Sequence, residues 1–177
     1  MKKINFYNFF ILIIISLLLA IFFVGPINFW FSSTNWLYGS GDLSNAQLGW
    51  KFFKDDAWRF PIGKNPNYGL ELSNSIVFTD SIPLFAIIFK FLNSLGSRDF
   101  QYISLWIFLN FFLQTLFTFL IIHKSTKVNY FSLLASVLLL LSPFMLFRMS
   151  HHFSLGAHWL ILASFYIFYF ARDNQKE

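Results

Sequence analysis

The chain has 177 residues, of which 56% are hydrophobic, 23% aromatic and only 12% charged; this balance lies far from a soluble domain and marks an integral membrane protein. The formal charge of +5 is spread over several segments without a dense Lys/Arg run, which argues against a nucleic-acid partner. The absence of cysteine removes disulfides, thiol catalysis and Cys-ligated metal. Phenylalanine alone fills 27 positions, an abundance that an AT-rich genome explains as readily as function does.

The first hydrophobic run follows Lys2 and Lys3 and covers 9–31, interrupted at Gly25-Pro26. It is long enough to cross a hydrocarbon core of about 30 Å, and the lysines place its start in the cytoplasm. It exceeds a signal-peptide core and no small-residue cleavage site follows, so it is read as an uncleaved span. A long polar and aromatic loop, 32–100, comes next. Within it Leu43, Ala46, Trp50, Phe53 and Ala57 recur at spacings of three and four, predicting an amphipathic helix over 43–58. Asp42 is the expected N-cap of that helix. Gly39 and Gly41 make its approach mobile or strained, and a carboxylate at such a turn equally suits a general base or a ligand for a divalent cation, Mg²⁺ or Mn²⁺.

The stretches Trp58-Arg59-Phe60-Pro61-Ile62-Gly63 and Asn65-Pro66-Asn67-Tyr68-Gly69 read as turns with aromatic rings at interfacial depth, serving as scaffold or as an acceptor-binding loop. Ser75 to Phe78 reads as a brief extended stretch. Asp80 or Ser81 is then the expected cap of an apolar helix over 82–95, with Pro83 in its first turn. That segment has about 14 residues against the roughly 17 needed to cross. If it crossed, Lys124 and Lys127 would face outside; if it lies in the interface they join Lys2, Lys3, Arg172 and Lys176 inside, which satisfies the positive-inside rule. It is therefore read as interfacial, with Lys90 snorkelling to the headgroups.

Further spans are predicted over 101–122, 129–147 and 157–170, the first two joined by the basic turn His123-Lys124-Ser125-Thr126-Lys127. The result is an all-α integral membrane domain, 1–177, with about four transmembrane helices, interfacial helices in its first non-cytoplasmic loop, and both termini cytoplasmic. A second, short loop on the non-cytoplasmic face concentrates Arg148, His151 and His152, with His158 at the start of the last span. Ionisable groups at membrane depth require water, one another or a ligand. Adjacent histidines lack the i, i+3 or i, i+4 spacing of a zinc site, so a metal would need Asp42 or Asp80. Arg148 beside imidazoles suggests recognition of a phosphate or diphosphate headgroup; a solvated interfacial loop is the alternative. No Walker loop, dinucleotide glycine pattern, H-E-x-x-H or G-x-S-x-G occurs.

The ordered pattern of Gly41-Asp42, Gln47-Leu48-Gly49-Trp50, Trp58-Arg59-Phe60-Pro61-Ile62-Gly63 and Val77-Phe78-Thr79-Asp80-Ser81-Ile82-Pro83-Leu84 resembles the N-terminal part of an uncharacterised bacterial family of polytopic membrane proteins grouped with the GT-C glycosyltransferases. The similarity continues through Phe100-Gln101-Tyr102, Leu141-Ser142-Pro143, Arg148, His152 and Ala157-His158-Trp159-Leu160. The resemblance implies a multi-pass protein of the bacterial inner membrane that moves a sugar from a polyprenyl-phosphate-type donor to a cell-envelope acceptor on the non-cytoplasmic face. By that analogy Asp42 is a general base or acceptor-orienting carboxylate, and Asp80 positions the acceptor or a cation. Arg148 and His152 bind the departing lipid phosphate, His151 and His158 are weaker candidates, and Trp50 and Arg59 contact substrate. The superfamily has more spans, so the chain is expected to be a fragment whose activity needs a C-terminal partner chain. The competing expectation is a non-enzymatic helper or transporter-like subunit for lipid-linked sugars, or an inactive truncated frame.

Overall fold

A computed structural model describes residues 5–39, 41–93 and 100–171. The topology-setting residues Lys2, Lys3, Arg172 and Lys176, together with Ser40 and positions 94–95 of the second predicted interfacial helix, lie outside them. The described residues are mostly helical and divide into two compact units, where the sequence had suggested a single domain.

The first unit comprises the described parts of 1–29, 103–150 and 155–177. Helix α1, Phe6–Val24, opens with the Asn5 side chain accepting from the Tyr7 amide, and stops at Gly25, whose φ of 92° is left-handed. The hydrophobic run to residue 31 is therefore not one helix. Its buried residues Asn8, Leu12, Ser16, Ala20 and Val24 recur every fourth position and form one stripe. Helix α4, Ile103–Thr126, receives that stripe: Ser16 Oγ and Thr115 Oγ1 lie 3.0 Å apart, and Phe23 meets Phe111 edge-on. Helix α5, Asn129–Leu140, packs on α4 and buries Ser132, Ser136 and Leu140. Small residues allow the backbones to approach, and both serine hydroxyls are satisfied by the carbonyl four residues earlier.

Helices α1 and α4 are each long and apolar enough to cross a membrane. The predicted third span is broken. Leu141-Ser142 leaves the helix, Pro143 starts α6, Pro143–His151, and the two axes differ by 44°. Pro143 has no amide hydrogen to continue α5, while Ser142 Oγ accepts from the Met145 amide at the start of α6. Helix α7, Trp159–Tyr166, followed by a π-turn over Ile167–Ala171, is shorter than the predicted fourth span. The Trp159 indole donates to Asn110 Oδ1 of α4 at 3.1 Å, and its ring stacks on Phe117.

The second unit comprises Trp30–Tyr102 and His151–Ser154. Its central helix α2 covers Gly41–Asp55 in place of the predicted 43–58. Two short strands, β1 Lys64–Asn65 and β2 Asn74–Ser75, pair antiparallel, and a 3₁₀ turn at Ile76–Phe78 replaces most of the expected extended stretch. Helix α3, Pro83–Asn93, then follows with Pro83 at its first position. Trp50, Phe53, Leu37, Ile76, Tyr102 and Phe153 form the core. Around Trp50, edge-on contacts to Phe100 and Tyr102 and the stacked Phe89–Tyr102 pair build an aromatic cluster.

Gly49 brings α2 against the turn that precedes α3. A Cβ there would fall 2.4 Å from Thr79 Cβ and Oγ1 and 2.9 Å from Ser81 Oγ. Gly41→Ala, whose Cβ would meet nothing within 4 Å, should be close to neutral, whereas Gly49→Ala should destabilise by about 1–3 kcal/mol, the usual cost of overpacking. Thermal unfolding of the two detergent-solubilised variants checks this; equal midpoints would show that the close approach is not needed.

Candidate functional site

Asp42 lies inside the first turn of α2, where the sequence placed an N-cap before it. Its carboxylate is turned to another partner: Oδ2 sits 2.6 Å from His152 Nδ1, with both side chains partly open to solvent, 32% and 47%. An ionised carboxylate only accepts, so Nδ1 carries the shared proton and the exposed imidazole keeps Nε2 as its second functional atom.

Asp80 holds the same segment by a second bond. Ser154 Oγ donates to its Oδ1 at 2.8 Å, so the two carboxylates grip side chains only two positions apart. Neither Asp80 nor Ser81 caps α3. Asp80 has φ 55° and the β-branched Ile82 has φ 48°, conformations that need support from their surroundings. Ser81 Oγ supplies part of it by donating to the Ala46 carbonyl at 2.7 Å, Thr79 Oγ1 donates to the Ile76 carbonyl at 2.9 Å, and the Tyr102 hydroxyl donates to the Ser81 carbonyl. This network aims Asp80 at Ser154.

A family model for a domain of unknown function, DUF6311, matches residues 12–177. The chain belongs to this family. No curated protein and no solved structure matches it.

In this DUF6311 chain the remaining candidates are distributed differently from the expectation. Trp50 is in the core at 1% exposure, its indole donating to the Phe100 carbonyl at 2.9 Å, so it packs instead of contacting substrate. Arg59 forms a two-pronged pair with Asp56, at 2.8 and 3.1 Å, and the hydrogen bond from its guanidinium holds the Asp56 carboxyl below its ordinary pKa. His151 ends α6, exposed. Arg148 and His158 belong to the first unit, where the guanidinium lies 5.6 Å from the Phe144 ring centroid and the imidazole stacks on the same ring at 4.7 Å.

Among the described residues no group of three or more His, Asp or Glu side chains could hold a metal ion. Asp42 and Asp80 are instead spent on His152 and Ser154, a donor set that does not fit a dedicated Mg²⁺ or Mn²⁺ site. Sequence reasoning missed Ser154 altogether and assigned His152 to phosphate, because their carboxylate partners lie 74 and 110 positions away.

Lys90 also departs from expectation. It is buried at 4% exposure instead of snorkelling, its ammonium 4.1 Å from the Phe53 centroid and 4.9 Å from that of Trp58, donating to the Ala57 carbonyl. Desolvation lowers its pKa, only partly offset by Asp56. A lysine depressed in the folded state penalises folding while protonated. Stability should therefore rise with pH between the folded value and the ordinary value of about 10.4. Lys90→Met should remove that alkaline rise in melting temperature, and an unchanged slope would show that Lys90 is not its source.

Proposed function

We propose that this DUF6311 chain serves a GT-C-like membrane glycosyltransfer, moving a sugar from a polyprenyl-phosphate-type donor to a cell-envelope acceptor on the non-cytoplasmic face of a bacterial inner membrane. The observation that carries the reading is the half-exposed Asp42–His152 pair. A carboxylate on Nδ1 fixes the tautomer and ring orientation of an imidazole and stabilises the cation that forms when Nε2 takes a proton. In the proposed reaction the acceptor hydroxyl oxygen attacks the anomeric carbon while its proton passes to His152 Nε2. The bond from that carbon to the donor phosphate oxygen breaks, and the lipid phosphate leaves with the electron pair. Asp80 acts at one remove, through Ser154, by holding the segment that carries His152.

The same contacts support a four-span topology. If α1 and α4 each cross, residues 25–102 lie on one face and α4 delivers the chain to the other. His152 and Ser154 then reach Asp42 and Asp80 only if the α5–α6 pair crosses back, which makes its 44° break a kink within a span and not a re-entrant hairpin. Helix α7 begins the fourth crossing. Helix α3, too short to cross, exposes Leu84, Ile88, Phe91 and Leu92 on one face, the pattern of a helix lying in the interface.

Asp42→Asn should lower transfer from a polyprenyl-phosphate-linked radiolabelled sugar by about 10²–10⁴-fold, the usual contribution of a general base, with membrane insertion unchanged by protease protection. His152→Ala should do the same, and the double variant should be no worse than either single one. Retained transfer in Asp42→Asn removes the pair from the reaction. A second reading, a non-enzymatic helper for lipid-linked sugars, is favoured by the fact that both carboxylates tether one segment. It predicts that Asp42→Asn and Asp80→Asn lower the melting temperature alike while transfer continues.

A further inference from the structure

The loop between the two strands presents a leucine pair that neither its backbone nor its own fold accounts for. Leu70 and Leu72 are 91% and 93% exposed, and Leu70 has φ 53° between Gly69 at 100° and Ser73 at 59°. Left-handed backbone favours glycine or asparagine, and water disfavours an exposed leucine, so an apolar side chain at this site is unfavourable on both counts within the chain alone. An apolar surface outside the chain removes the second of these costs, the exposure of the two leucines to water.

We infer that the Gly69–Ser73 loop is a membrane-contacting tip, seating Leu70 and Leu72 at the boundary between lipid headgroups and acyl chains; this rests on the proposed placement of the second unit at a membrane face. Three observations favour lipid over a protein partner. The unit's main stretch, Trp30–Tyr102, is bracketed in the chain by α1 and α4, both apolar enough to cross, and α4 begins at the residue after Tyr102. The loop's turns close on themselves, Leu72 N to Gly69 O at 3.3 Å and Ser73 N to Leu70 O at 3.2 Å, so it enters a poorly hydrated layer with those amides already paired. The flanking chain, with Trp58, Arg59, Phe60 at 89% exposure and Lys64, mixes aromatic and cationic side chains as interfacial segments do. Glu71, exposed between the leucines, keeps the insertion at headgroup depth.

The chain has no cysteine, so Leu70→Cys and Leu72→Cys each provide a unique attachment point for a nitroxide. In the full chain reconstituted into phosphatidylcholine–phosphatidylglycerol vesicles, power saturation reads the label's collision with oxygen, which concentrates in lipid, and with a water-soluble nickel chelate. The expected result is a ratio of oxygen to nickel accessibility several-fold above that of the same label in free solution, because oxygen concentrates in lipid and the polar chelate stays in water. High accessibility to nickel overturns the inference by placing the loop in water. Low accessibility to both reagents overturns it in favour of a protein contact. The sugar-transfer assay reads Asp42 and His152, so failure of one experiment leaves the other intact.

Discussion

Two hydrogen-bonded carboxylates and the buried ring of Phe153 hold the segment His151–Ser154 in place. Asp42, in the first turn of α2, and Asp80, in a left-handed turn before α3, bind His152 and Ser154. The four-residue segment thereby joins a unit built otherwise from Trp30–Tyr102. The proposed chemistry and the proposed crossing of the α5–α6 pair both depend on this capture. Its geometry in turn requires the Thr79–Ile82 turn, with positive φ at Asp80 and Ile82. Ser81 bonds this turn to α2, Thr79 bonds it to the Ile76 carbonyl and the hydroxyl of Tyr102, the residue before α4, bonds it at the Ser81 carbonyl, while Gly49 lets α2 approach.

The helical unit uses a different kind of force. Between two apolar helices in lipid there is no gain from excluding water, so close packing and occasional hydrogen bonds must hold them. The buried stripe of α1 at every fourth residue, the Ser16–Thr115 contact, the serines of α5 and the Trp159–Asn110 bond are of this kind. Among the described residues Gln114 Oε1 of α4 is buried without a hydrogen-bond partner, a local cost within this helix.

Much of the secondary structure was legible because hydrophobic periodicity and breakers act locally. The 3.6-residue pattern located α2 to within a few residues, Pro83 marked the start of α3, and hydropathy marked α1 and α4. What failed was everything that needs a distant neighbour. Lys90 on an apolar helix suggests snorkelling, yet Phe53, Trp58 and the Ala57 carbonyl, more than thirty positions away, form a site that holds it inside. Trp50 sat in a motif that invited a binding role, and only the surrounding aromatic rings reveal it as core. The bend within 129–147 is by contrast local, at Ser142-Pro143, and hydropathy alone does not show it.

The sequence by itself determined a helical chain rich in membrane-grade segments, with a polar loop carrying isolated acids between them, because composition and periodicity are properties of neighbouring residues. Tertiary structure alone decided what those acids do. A cap and a dyad have the same local sequence, Gly-Asp before an amphipathic helix, and they differ only in whether an imidazole from 110 positions away arrives within 2.6 Å.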